Sequence, residues 1–175
     1  MKILLIRHGE TTGDIEDRYG GAYDDHLTEK GRQQLQHTAE QLDGQKIDVI
    51  FVSSLIRARE SADIINEKLN TRIEVMDGLR ERNYGVLGGL TKAEAIEKYP
   101  EVVEAHKDPA NTDSEGESQS DFMERVLSTF SSIKESGHDV VAVVSHGGPI
   151  KTIIRHLNMP LPDKIGDGEI IEVVL

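Results

Sequence analysis

An arginine and a histidine stand side by side at Arg7-His8, directly after the apolar run Ile3–Ile6 and directly before Gly9. Arginine offers a planar fork of donors that fits phosphate and carboxylate oxygens, and histidine can serve as base, nucleophile or cation. Side by side, the two suit an anion. Similar punctuation recurs twice. Ser53-Ser54, with Arg57 shortly behind, follows Lys46–Val52, and Ser145-His146-Gly147-Gly148 follows Asp139–Val144, the most apolar stretch of the chain. Two arginines and two histidines therefore lie where apolar runs end.

Short apolar runs bounded by glycine and serine read as buried strands. In open parallel sheets, ligands bind at the carboxyl ends of the strands. If these three strands are parallel, their endings share one edge, and one site gathers Arg7, His8, Arg57 and His146. A helix expected over Pro149–Leu157 adds free backbone N–H groups, which bind anions. The remaining chain supplies the supports. Thr12–His26 is a polar, Gly-rich loop, long for a mere connection. Thr28 caps a helix through Leu42, and Ser53-Ser54 cap another to Leu69. Arg72–Met76 reads as a strand, and Asp77–Thr91 is glycine-punctuated. Thr91–Lys98 reads as a short helix stopped by Pro100, and the polar, acidic stretch Lys107–Ser120 as a mobile excursion. Asp121–Lys134 is an amphipathic helix with Phe122, Val126, Phe130 and Ile133 on one face. Glu169–Leu175 is a last strand. The alternation predicts an α/β three-layer sandwich, with a mostly parallel central sheet and helices on both faces, in one domain over residues 1–175.

Composition narrows the function. The net charge of −12 argues against nucleic acid as a partner, since a binder would show a basic patch. A phosphate substrate stays open, because fields are screened within about 8 Å and the pocket's own charges decide. No apolar run is long enough to span a membrane, and the run after Lys2 is too short for a signal peptide. Cysteine is absent, so there is no disulfide and no thiolate metal site. A cytoplasmic address is expected.

The motifs also resemble a known family, the histidine phosphatase superfamily, which includes cofactor-dependent phosphoglycerate mutases and many phosphatases. Arg7-His8-Gly9-Glu10-Thr11 is similar to its signature, and Leu27-Thr28-Glu29-Lys30-Gly31 to the start of its first helix. Ser53-Ser54-Leu55-Ile56-Arg57-Ala58 with Ser61-Ala62 resembles its second-strand block. Leu79-Arg80-Glu81-Arg82-Asn83-Tyr84-Gly85 resembles the block that holds its acid. Gly116-Glu117-Ser118 with Arg125, and then Ser145-His146-Gly147, follow in the family's order.

The resemblance implies a phosphoglycerate mutase-like fold and a phosphohistidine mechanism. His8 is the expected nucleophile. Arg7, Arg57 and His146 are expected to hold the equatorial phosphate oxygens, with Gly147 beside them. Glu81 is expected to protonate the leaving alkoxide and then to activate water. It must therefore hold a proton in the first step, which calls for burial or nearby negative charge. Tyr84, Lys92, Arg82 and Gly21 are expected to touch substrate. No cofactor and no metal is expected. Asp14 stands where the family usually has Asn, so its carboxylate must be turned away from phosphate or protonated. Gly13 replaces a frequent Trp, and Gly88 a frequent acidic residue or Gln. His26, His37, His106, His138 and His156 read as surface or packing residues, and Asp113–Glu117 as a solvated acidic loop.

Mutases carry an extra segment with paired arginines for a second anionic group, and Tyr99–Ser120 holds no arginine. The expected function is therefore a metal-independent phosphatase acting on a small phosphorylated metabolite, with a phosphoglycerate mutase next. A non-catalytic phosphate-binding protein and a phosphoprotein phosphatase are further readings. The residues do not specify an oligomeric state.

Overall fold

The computed structural model describes residues 1–108 and 110–175. Pro109, inside the expected excursion over Lys107–Ser120, lies outside the described residues. Five strands form one sheet: β1 (Lys2–Arg7), β2 (Val49–Ser53), β3 (Arg72–Met76), β4 (Val140–Ser145) and β5 (Ile170–Val174). Their order is β3-β2-β4-β1-β5, all parallel except β5, which runs antiparallel to β1. The mostly parallel sheet expected from the strand–helix alternation is what the chain forms.

Successive side chains of a strand point to opposite faces, and the core divides accordingly. Ile3 and Leu5 of β1, Val49 and Phe51 of β2, and Val141 and Val143 of β4 join one apolar cluster. Leu4 and Ile6, Ile50 and Val52, and Ala142 and Val144 join the other. The first cluster is closed by α6 (Gln119–Lys134), through Phe122, Val126, Phe130 and Ile133, and by α7 (Gly147–His156), through Ile150, Ile153 and Ile154. The second is closed by α2 (Glu29–Gln41) and α3 (Ile56–Leu69), through Leu35, Ala58, Ala62 and Ile65. The runs in β1, β2 and β4 are continuous because both faces are covered.

The parallel register brings the strand ends level. Arg7 lies opposite Ser145 across β1 and β4, and Val52 pairs with Val144 across β2 and β4. The polar residues that follow these strands therefore share one edge.

Several boundaries differ from the sequence reading. The second strand starts at Val49 rather than Lys46, and Asp48 accepts from the Asp139 and Val140 N–H groups at its head. Ser53 and Ser54 do not cap α3: Leu55 is its N-cap, without a side-chain bond. Ser53 Oγ accepts from Leu55 N, short of the helix's own N–H groups, and meets His146, while Ser54 donates to Asp77. A single turn, α1 (Thr12–Ile15), forms inside the polar loop because Thr11 and Asp14 make a capping box. Pro100 stops α4 (Lys92–Lys98) but also starts α5 (Pro100–His106), since proline is tolerated in a first turn. Helix α7 begins at Gly147, two residues before Pro149.

The described residues from Asn111 to Gln119 are held down rather than loose. Arg82 donates to the carbonyls of Asn111 and Glu117 and to Gln119 Oε1. Asp113 is only 5% exposed and meets His106 Nδ1 at 2.7 Å, so that part of the acidic run is not solvated. No helix among the described residues is long and apolar enough to cross a membrane.

Candidate active site

His8 follows β1, and its backbone N–H extends the ladder to Ser145 O at 3.0 Å. Its Nδ1 lies 2.8 Å from Gly9 O. A carbonyl only accepts, so Nδ1 carries the hydrogen and Nε2 keeps its lone pair. Burial, with Arg57 as the nearest cation, holds this imidazole well below the ordinary histidine range, so the ring is neutral near pH 7.

Arg57, in the first turn of α3, is 3% exposed, and four of its five N–H groups are engaged by described residues. Its Nε donates to His8 Nε2 at 3.3 Å and to His146 Nδ1 at 3.2 Å. Its Nη atoms donate to Tyr23 O, Gly21 O and Asp25 Oδ1, at 2.6, 2.7 and 2.8 Å. The loop over residues 20–25 thus fixes the guanidinium from behind. Gly21 has φ +52°, and a Cβ there would lie 2.7 Å from Arg82 O. Arg7 is held on the opposite side by Ile165 O at 2.6 Å and Asp167 at 3.1 Å. Its Nε has no hydrogen-bond partner among the described residues.

Glu81 follows a 3-10 turn, Asp77–Leu79, at the end of β3. Its Oε1 accepts from Arg82 N at 2.9 Å, and its Oε2 from Gly148 N, in the first turn of α7, at 2.8 Å. Ser145 Oγ donates to Leu79 O, and Arg125 donates to Gly78 O and Arg80 O. The acid is therefore tied to β4, α6 and α7 at once. Gly148 permits this closeness: a Cβ there would sit 2.1 Å from Glu81 Oε1.

Arg7, His8, Arg57, Glu81, Tyr84, Gly21 and Gly147 line one pocket of about 180 Å³, joined by Arg18, Asp14 and Asp25. Tyr84 is kept as a neutral phenol by burial and by the negative charge of Glu81, both of which push its ionisation up.

Other expected residues lie elsewhere. His146 is 1% exposed, with its ring centroid 5.1 Å from that of His8. Its nitrogens are taken by Arg57 and by Ser53 Oγ, the latter at 2.7 Å, so it supports Arg57 from behind rather than walling the pocket. Lys92 is not on the pocket wall either: its Nζ sits 3.2 Å from the centroid of the Tyr19 ring. Arg82 turns to the opposite side of Glu81, into the stretch before α6. Asp14 Oδ2 accepts from Thr11 N and Thr11 Oγ1, both at 2.9 Å, so the carboxylate is turned into its own helix cap.

Three contributors escaped the sequence reading. Ser53 and Asp25 orient His146 and Arg57, and His106, taken for a packing residue, stands edge-on to Tyr84 at 4.7 Å. Nothing in residue type separates Asp25 from its acidic neighbours, whereas Ser53 lay beside a strand end.

A nucleophilic imidazole, two anchored arginines and a carboxylate in one pocket can transfer a phosphoryl group. The model of the histidine phosphatase superfamily, branch 1, matches residues 3–167. The chain belongs to this family. It is 36% identical to phosphoglycerate mutase-like protein 4 of Arabidopsis thaliana over 87% of this chain and 69% of that one. It is 32% identical to phosphoserine phosphatase 1 of Hydrogenobacter thermophilus over 87% of this chain and 74% of the other. Among solved structures, YhfR of Bacillus stearothermophilus superposes with TM-score 0.90 at 27% identity, covering 99% of this chain and 91% of its own. Members of this family are phosphatases or phosphoglycerate mutases, so an enzyme of this kind is supported.

Proposed function

We propose that the protein is a metal-independent phosphatase that hydrolyses small phosphomonoesters through phosphorylated His8. In the first step His8 Nε2 attacks phosphorus in line, the P–O ester bond breaks, and Glu81 gives its proton to the departing alkoxide. In the second, Glu81 takes a proton from water, whose oxygen displaces the histidine nitrogen and releases inorganic phosphate. Arg7 and Arg57 stabilise the charge on the equatorial oxygens, which is where such catalysis acts. His146 holds Arg57 in place.

The observation that carries this reading is the pairing of His8, with its hydrogen fixed on Nδ1, with Glu81 in the same pocket. Phosphate binding alone has no use for a carboxylate there. A phosphatase is preferred to a mutase because Lys92 is held over Tyr19 rather than turned to the pocket.

The test is phosphate release from p-nitrophenyl phosphate in excess EDTA, comparing wild type with His8→Ala. Turnover by wild type and at least 10³-fold less by His8→Ala is expected, on the order of the loss of a covalent route. No turnover, together with isomerisation of phosphoglycerates, would transfer the protein to the mutases. Equal turnover by both proteins would remove His8 from the mechanism.

A further inference from the structure

Glu81 borders three cavities. One is the phosphate pocket, and behind it lies a cavity of about 240 Å³ that Glu81 and Tyr84 also line. The alkoxide that Glu81 protonates must leave on the Glu81 side, so the rest of the substrate has to occupy space that this residue borders.

The charges of this second cavity are unusual for an acidic chain. Its walls carry Arg82, Lys151 and Arg155 with His106, and Glu81 is its only carboxylate among the described residues. Most arginines of the molecule are paired with acids. Lys151 and Arg155 have no acidic partner among the described residues, and Lys151 meets only the carbonyl of Asp163, at 3.3 Å. A larger cleft of about 450 Å³ also borders Glu81, but its two arginines, Arg80 and Arg125, face Asp77 and Glu117 as well as Glu81, and Glu117 already neutralises Arg125. Of the three cavities that border Glu81, the one behind Tyr84 therefore offers an anion the largest excess of cations over carboxylates among the described residues.

Spacing defines the ligand further. Lys151 and Arg155 are four residues apart on α7 and so share a face. Gly148, which holds Glu81, lies one turn before Lys151. At about 1.5 Å per residue, the backbones of Lys151 and Arg155 lie roughly 5 and 10 Å along the helix from Gly148, whose N–H holds Glu81.

Resting on the phosphatase reading above, we propose that this cavity is the leaving-group site and that it selects phosphomonoesters of an acidic alcohol. The alcohol part carries a second anion, a carboxylate or a further phosphate, a few bonds from the ester oxygen. Lys151 and Arg155 bind that anion, and α7 sets its distance from the phosphoryl group.

The test is binding of two phosphonates that cannot turn over, 3-phosphonopropionate and propylphosphonate, measured by calorimetry at low salt on wild type and on Lys151→Met/Arg155→Met. They differ by one carboxylate. Wild type is expected to prefer the carboxylate-bearing ligand by about tenfold or more, and the double variant to lose that preference while melting within a few degrees of wild type. Equal binding by wild type overturns the proposal and leaves phosphatase activity standing. A preference that survives in the double variant overturns the assignment to Lys151 and Arg155. Failure of aryl phosphate turnover would sink the hydrolase reading alone, because the phosphonate preference needs no turnover.

Discussion

Gly148→Ala separates phosphate binding from proton transfer. The added methyl would lie 2.1 Å from Glu81 Oε1 and 2.9 Å from its carboxyl carbon. Contact distances are longer than this, so the carboxylate must retreat by about 1 Å. A misplacement of about 1 Å can cost 10²-fold in rate. Alanine favours a helix over glycine by roughly 0.5–1 kcal/mol, so α7 itself gains locally and the chain should fold. His8, Arg7 and Arg57 are not among the atoms the methyl meets. The expected result is kcat for an alkyl phosphate lowered about 10²-fold, with inhibition by inorganic phosphate little changed. An aryl phosphate with a good leaving group should lose less in its first step, because its phenolate leaves without help. Activity within threefold of wild type on the alkyl ester would refute the coupling of Glu81 to α7. So would a parallel loss of phosphate affinity.

Glu81→Gln should still be phosphorylated by p-nitrophenyl phosphate but discharge slowly, by about 10²–10⁴-fold. Rapid quench would then show a burst approaching one phosphate per chain, and steady turnover without a burst would count against the proton shuttle. Arg57→Ala strands the buried Asp25 carboxylate, which typically costs about 3–5 kcal/mol. Melting should drop by roughly 6–20 °C, and Asp25→Asn in the same chain should recover much of the stability but none of the activity. Acid should destabilise the fold through the histidine pair. Burial first, and then the Arg57 charge, holds His8 and His146 below the ordinary range. Between their folded values and about pH 6.5, the unfolded chain binds more protons than the folded one. This contribution is complete above about pH 6.5 and is lost as pH falls towards the folded values. Tm measured from pH 7.5 to 5 should fall, and less steeply in His146→Gln; an unchanged slope would dismiss His146 as a source.

The phosphate half of the site was legible in the sequence for a physical reason. Strand runs are covered on both faces, so they are apolar throughout, and the first polar residue marks where a strand leaves the core. Arg7-His8 and His146 stand at such breaks, and the parallel register makes the breaks coincide. His146 shows the limit of that signal: its location was readable, but its contacts were not. Whether its nitrogens face phosphate or Arg57 depends on Ser53, and an apparent helix cap gives no hint of a bond across to β4. Asp14 was ambiguous in the same way until its capping box with Thr11 showed where the carboxylate points.

The leaving-group half was illegible because its residue types are those of any solvated surface. Lys151 and Arg155 sit four apart on a helix that also exposes His156, which as a sequence reads as an ordinary polar face. They gain meaning only when Arg82, His106 at the end of α5, and Gln119 and Phe122 at the start of α6 close a cavity with them against Glu81, with Arg82 tied to Glu117 and His106 to Asp113. That packing depends on buried polar pairs far apart in the chain, which periodicity cannot reveal. The proposed chemistry thus draws on strand ends, where hydrophobic pattern betrays it. The proposed selectivity draws on contacts between α5, α6 and α7, which the pattern does not mark. Relatives named for different phosphate esters on this shared fold are the outcome expected when the first half is held by the sheet and the second is free to change with its loops.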